Sequence, residues 1–252
     1  MRMPSRTLVI ANPRSQNPAS RRFASLEKKL RSALGPLDIE WTRAPRDAER
    51  IAREGVRSGI ERVIVAGGDG MLSEVVTGLL SAELGDYAAI GLLPLGTAGD
   101  FARGLGQSRD VEAAIERIAA GKTSMADAGR VTFFNDEGVE VTRYFANIAS
   151  FGLSGIVGAL VNRSTKIFGG RMSYLMGALR GIARFRAESV EIFVDGGRVF
   201  GGPISIAAVA NGTHFGGGMR IAPNAHIDDG LFDWLIVPGM SRVALLGKLP
   251  SL

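Results

Sequence analysis

The chain has 252 residues, 46% apolar and 22% charged, which is ordinary for a globular protein able to bury one large core or two small ones. The absence of cysteine excludes a disulfide framework and a thiolate zinc site, and makes a reducing cytoplasm the simpler setting. A formal charge of +5 favours an anionic partner, whether nucleotide, lipid headgroup or nucleic acid, without choosing among them.

The start, MRMPSRTLVIANPRS, has an apolar run only from Leu8 to Ala11. That is too short for a secretory signal core and reads as a first strand. The first half then alternates β-branched runs with helical periods. Strands are expected at 7–11, 39–42, 63–66 and 89–94, and helices at 19–34, 47–58 and 71–80, with a short helical segment from Asp100. Such alternation implies parallel strands joined by helical crossovers, with ligands at the carboxyl ends of the strands.

After Gly121 the texture turns to strands near 124–134, 139–149, 189–194, 203–210 and 231–237, bounded by Gly, Asn and Asp turn signals. A helical stretch at about 154–185 is inserted among them. The reading is an α/β nucleotide-binding domain over 1–124, followed by a mainly antiparallel domain over 125–252. The stretch from Phe145 to Asn162 is 18 residues without a charge. Its Asn, Ser and Gly content makes it a buried strand, a turn and a helix start rather than a membrane span.

Two loops carry the chemistry. Residues 63–80, VIVAGGDGMLSEVVTGLL, run from a buried strand through Gly67, Gly68, Asp69 and Gly70 into a helix. Glycines there let the backbone approach a polyphosphate, and the amides and positive end of the helix attract it. A carboxylate inside such a loop is repulsive unless it holds Mg²⁺ or takes a proton from an attacking hydroxyl, and either role implies phosphoryl transfer. Taken alone, a Gly-Gly-Asp-Gly string is equally a tight turn. There is no Walker lysine, which disfavours an ordinary P-loop. The second loop, in GLLPLGTAGDFAR (91–103), brings Pro94, Gly96, Thr97, Gly99, Asp100 and Arg103 to a neighbouring strand end.

A GGDG loop followed about 25 residues later by PLGTxxDFAR resembles the catalytic domain of the diacylglycerol kinase family, which includes sphingosine, ceramide and bacterial lipid kinases. Asn12-Pro13-Arg14-Ser15 is similar to the family's opening nucleotide loop, and ANGTHFGGGMRIAPNAHIDDGLFDWLIV (210–237) resembles its second-domain signature. The resemblance implies a NAD kinase/diacylglycerol kinase-like α/β domain followed by a β-sandwich, incomplete here.

It further implies an ATP- and Mg²⁺-dependent lipid kinase. Nucleotide contacts would come from Asn12, Pro13, Arg14, Ser15 and Gln16, from Thr42, from Gly68, Asp69, Gly70, Met71, Leu72, Ser73 and Glu74, and from Thr97. Asp69 and Asp100 would be catalytic, and Asp100 with Arg103 would lie toward the acceptor. A second, structural Mg²⁺ would use Asp229 and the backbone oxygens of His226 and Leu231. Three departures stand out: Gly99 replaces the family's usual Asn, Met71 stands where many bacterial members have Thr, and Gln16 replaces a glycine.

His214 and His226, the two histidines, are too few for an imidazole metal cluster and read as loop or packing residues. Trp41 and Trp234 read as core. Arg163 to Arg186 mixes six basic residues with Phe, Met, Leu and Tyr. It can rest on anionic lipid or simply pack with a solvated basic face. The implied partners are a lipid substrate at a membrane surface and no nucleic acid, with a homodimer allowed. The setting is cytoplasmic, on the inner face of the membrane, in phospholipid biosynthesis. The family's catalytic glutamate sits in a late Asp-Gly-Glu segment, which this sequence lacks. The end therefore reads as broken off, and the competing reading is an inactive nucleotide- and membrane-binding fragment. NAD kinase shares the GGDG loop, but the second loop and 210–237 argue against it.

Overall fold

A computed structural model of the chain describes residues 6–13, 18–96, 99–163, 177 and 179–248. They form two compact units, residues 1–147 with 227–230, and residues 148–226 with 231–252.

The first unit is built on a four-stranded parallel sheet of β1 (Thr7–Ala11), β2 (Leu37–Trp41), β3 (Arg62–Gly67) and β4 (Ala89–Pro94), in the order β2-β1-β3-β4. The central strands β1 and β3 are continuous buried runs because both faces of the sheet are covered there, whereas the edge strand β2, LDIEW, alternates. Leu8, Ile10, Val63 and Val65 pack on one face against α2 (Asp47–Arg57) and α3 (Asp69–Leu80). Val9, Ala11, Ile64, Ala66 and Leu93 pack on the other against α1 (Arg21–Leu34) and α5 (Val111–Ala120). Full burial of a side chain such as Ile10, Leu30 or Ile64 contributes roughly 1.5–3 kcal/mol each.

Local signals set the helix ends. The Ser20 hydroxyl accepts from Phe23 N–H at 3.1 Å to start α1, and Gly35, in positive-φ backbone, ends it. Asp110 starts α5 by accepting from Ala113 N–H at 2.7 Å, and left-handed Gly121 stops it. This helix was not among the expected elements, although its Asp and Gly caps are written in the sequence.

The antiparallel hairpin of β5 (Gly129–Phe134) and β6 (Glu140–Phe145) belongs to the first unit. Its anchor is on α3, where Thr77 Oγ1 accepts from Tyr144 N–H at 3.1 Å and donates to Tyr144 O at 3.1 Å. The change to strand texture near residue 125 thus precedes the end of the first unit at 147.

The second unit holds β7 (Ile148–Gly152), α6 (Leu153–Arg163), β8 (Glu188–Val194), the long β9 (Gly197–Ala210), the short pair β10 (His214–Phe215) and β11 (Met219–Arg220), and β12 (Asp233–Pro238). Antiparallel β9 pairs with β8 along its first half and with β7 and β12 along its second. Leu153, Val157, Ile182, Phe185 and Leu245 form one core cluster, and Ile192, Ile204 and Ala207 form another. The uncharged stretch 145–162 is strand, turn and helix, and among the described residues no helix is long and apolar enough to cross a membrane. Most of the basic segment 163–186 lies outside the described residues.

Two contacts between α2 and α3 are testable. An added Cβ at Gly78 would lie 2.2 Å from Glu49 O and 2.9 Å from its Cα. Neither atom belongs to a flexible side chain, so Gly78→Ala should force the helices apart and lower stability by roughly 1–3 kcal/mol in a denaturant melt. Nearby, the half-buried Glu74 carboxylate accepts from Ala48 N–H at 3.3 Å.

Burial pushes the Glu74 carboxyl above its ordinary 4.5, against the backbone N–H groups of Arg46 and Ala48, with Glu49 adding to the rise and the Arg46 charge opposing it. The folded protein therefore holds the Glu74 proton more tightly than the unfolded chain. This penalty on folding is absent below about pH 4.5 and complete once pH exceeds the raised folded value. Glu74→Gln should accordingly gain in melting temperature relative to wild type as pH is raised from 4.5 to neutrality, and a parallel pair of melting curves would contradict this assignment.

Candidate active site

All four parallel strands deliver their carboxyl ends to one edge of the first unit. The loops after β1, β2, β3 and β4 therefore share that edge, where open α/β sheets bind ligands. Asn12 and Pro13 follow β1. Thr42 follows β2 and donates its N–H to Ala11 O at 3.0 Å, so the β2 loop is tied to β1. Arg14, Ser15, Gln16 and Thr97 lie outside the described residues.

The β3 and β4 loops meet backbone to backbone. Gly96 N–H donates to Gly67 O at 3.1 Å, and a Cβ on Gly96 would stand 2.5 Å from Gly68 Cα. Only glycine permits this approach. Gly68 caps α3 with extended backbone and offers no side chain to the helix amides. Those of the first turn, at Asp69 and Gly70, have no partner within the helix and supply donors for an anion.

Asp69 joins the two loops. Its Oδ2 accepts from Asp100 N–H at 2.9 Å and its Oδ1 from Phe101 N–H at 3.0 Å, so the carboxylate caps α4 (Asp100–Gly104). Two backbone donors fix its orientation at a crevice lined by Gly67, Gly68, Asp69, Pro94, Gly99 and Phe101. Asp100 is 3% exposed and pairs with Arg103 at 3.0 Å. Gly99 has φ +66, the left-handed region that glycine and asparagine tolerate best, so the departure from the family's Asn keeps the backbone that α4 needs.

The remaining residues of the β3 segment divide. Gly70 has open space at its Cα. Met71 and Leu72 send their side chains into the core and donate their N–H groups to Gly68 O at 3.0 and 3.1 Å, so neither offers a free amide, and the core position explains why a Met is accommodated at 71. Ser73 Oγ donates to Tyr144 O at 3.3 Å, and Glu74 faces α2.

Two residues that the sequence did not single out also act here. Arg109 donates from its guanidinium to Gly96 O at 2.8 Å and steadies the second loop. Asp127 clasps the segment Ile227–Gly230, donating its N–H to Ile227 O at 2.6 Å and accepting from Gly230 N–H at 2.7 Å through Oδ2. That second link spans 103 positions, and no local pattern announces it. Asp229 lies within this segment and is exposed; His226 and Leu231, which flank it, are exposed residues of the second unit. Among the described residues, no group of three or more His, Cys, Asp or Glu side chains is gathered to hold a metal ion.

Residues 6–131 match the diacylglycerol kinase catalytic domain, and residues 147–252 match the YegS C-terminal NAD kinase beta sandwich-like domain. A Chromohalobacter salexigens protein named "Probable lipid kinase YegS-like" is 36% identical over 83% of this chain and 64% of its own length, so the chain spans under two thirds of that relative. The diacylglycerol kinase of Bacillus subtilis is 31% identical over 92% of this chain and 73% of its own length. A diacylglycerol kinase crystal structure from Bacillus anthracis shares the fold, with a TM-score of 0.65 at 24% identity over 98% of this chain and 79% of that one. The glycine loops, their strand-end placement and these matches agree that the chain belongs to the diacylglycerol kinase catalytic-domain family, with a YegS-type β-sandwich domain following the α/β domain.

Proposed function

We propose that the chain carries the ATP-handling machinery of a lipid kinase, which transfers the γ-phosphate of Mg-ATP to the hydroxyl of a diacylglycerol or sphingoid/ceramide-like lipid at the inner face of the membrane. The observation that carries this reading is the locked pair of glycine loops, with the α3 amides on one side and an oriented Asp69 bridging to the other. Phosphoryl transfer asks a protein mainly for positioning and charge stabilisation, and rigid backbone donors beside a fixed carboxylate suit that demand.

Mg²⁺ takes oxygen ligands, retains waters and uses one or two carboxylates beside the phosphates, and Asp69 and Asp100 on adjoining loops are a donor set of that kind. When bound, the ion would neutralise charge on the phosphate oxygens. Asp69 serves the reacting phosphate, as an oxygen donor to the ion or as acceptor of the hydroxyl proton. Asp100, held by Arg103, fixes the acceptor side. The lipid oxygen bonds to the γ-phosphorus as the bond to the β–γ bridging oxygen breaks, and ADP leaves. The diacylglycerol reading rests on what the relatives are named, and the sphingoid/ceramide-like one on the motif resemblance.

The test is to incubate the chain with Mg-ATP and mixed micelles of diacylglycerol, sphingosine or ceramide and to look for phosphorylated lipid. Binding of ATP without any lipid product would reduce the chain to a nucleotide-binding module. Asp69→Asn retains an acceptor for one α4 amide while presenting its NH₂ to the other, so stability should fall by about 1–2 kcal/mol. Loss of the charge should cut phosphotransfer at least ~100-fold; near-wild-type turnover would remove Asp69 from the chemistry. Gly96→Ala should weaken ATP binding by more than about tenfold, read by calorimetry, since even a methyl group is felt at such packing.

A further inference from the structure

The family resemblance puts Glu74 among the residues that touch nucleotide, yet its carboxylate is committed to polypeptide. It sits on α3, beyond the glycine loop, and accepts from Ala48 N–H at 3.3 Å and from the backbone N–H of Arg46. Those two amides begin α2 and end the β2–α2 loop. That loop is closed on itself by Arg43 N–H donating to Asp47 Oδ2 at 2.9 Å and by Asp47 N–H donating to Ala44 O at 3.2 Å. Its first residue, Thr42, is bound to Ala11 O at the edge where the strands end.

Arg46 adopts φ +70, a left-handed conformation that an arginine enters at a cost. Such a conformation persists only where the surroundings over-determine it, and it clusters at working sites. Its N–H is one of the two that Glu74 receives, so the acceptor and the strained residue form one device. The same α3 begins with the glycine loop and bears the Gly78 contact with Glu49, so loop, carboxylate and the contact with α2 lie on one continuous helix.

We propose that Glu74 is a positioning residue: it fixes the β2–α2 loop, and with it Thr42, against the helix that receives the phosphates, and it governs nucleotide affinity through Thr42 rather than by contact of its own. This rests on the ATP-binding reading above.

The experiment is a double-mutant cycle on the full chain, measuring Mg-ATP affinity by calorimetry for wild type, Glu74→Gln, Thr42→Val and the double variant, with amide hydrogen exchange at Arg46 and Ala48 in the nucleotide-free proteins. Each single variant is expected to weaken binding about tenfold and the double variant to weaken it no further, because sites that act through one another are non-additive. Exchange at both amides should quicken in Glu74→Gln and stay at the wild-type rate in Thr42→Val. Additive losses, about a hundredfold in the double variant, or unchanged affinity in Glu74→Gln, would overturn the assignment while leaving the kinase reading intact. A folded wild type that binds no Mg-ATP would instead overturn the kinase reading and this inference with it. If Glu74→Gln fails to fold, Glu74→Asp, which keeps the charge but shortens the reach, should show the same non-additivity with Thr42→Val.

Discussion

The backbones of Gly68 and Gly96 come together with no space for a side chain between them, and the peptide of Gly96 hydrogen-bonds the strand end beside it. Because β3 and β4 are parallel neighbours in register, Gly67 faces Pro94 across the sheet and both loops leave at the same height. The start of α3, the position of Asp69 and the capping of α4 all follow from that approach. Asp69 reaches the amides of Asp100 and Phe101 only because the loops are already in contact. A carboxylate oriented by two peptide groups has little rotational freedom left, and preorganisation of this kind is where enzymes gain most of their electrostatic advantage.

The parts of this arrangement governed by short-range rules were legible in the sequence. Continuous β-branched runs gave buried parallel strands, because a strand covered on both faces has no polar side to alternate with. Glycines at strand ends marked the two loops that meet at the carboxyl edge of the sheet, while Gly99 read only as a departure until its left-handed backbone was seen. The parts set by distant partners were not legible. The hairpin β5–β6 reads as the opening of a new domain, but the reciprocal bonds between Thr77 and Tyr144 join it to α3 across 67 positions. Nothing near Glu74 reveals that its partners are amides in another crossover, and Met71 looks like a departure in a ligand loop until its side chain is seen in the core.

The two units also solve burial differently. In the first, the sheet is sandwiched between helix pairs, and its central strands leave almost nothing exposed. In the second, one long strand organises three others, and apolar residues such as Phe151, Phe193 and Trp234 remain substantially exposed on the antiparallel sheet. The more fully buried of the two sheets is thus the one whose strand ends carry the paired glycine loops, in keeping with the rule that precise sites are built on rigid elements.

The clasp between Asp127 and residues 227–230 means that the chain leaves the first unit after residue 147 and later returns to it for four residues. A unit completed by a returning segment is not a module in the genetic sense. No single crossover point in the gene separates it whole from the second unit, and no single proteolytic nick releases it with all its parts. During synthesis the first unit must wait for a piece made about 80 residues later before its last hydrogen bonds can close, a delay that raises the contact order of an otherwise locally wired α/β domain.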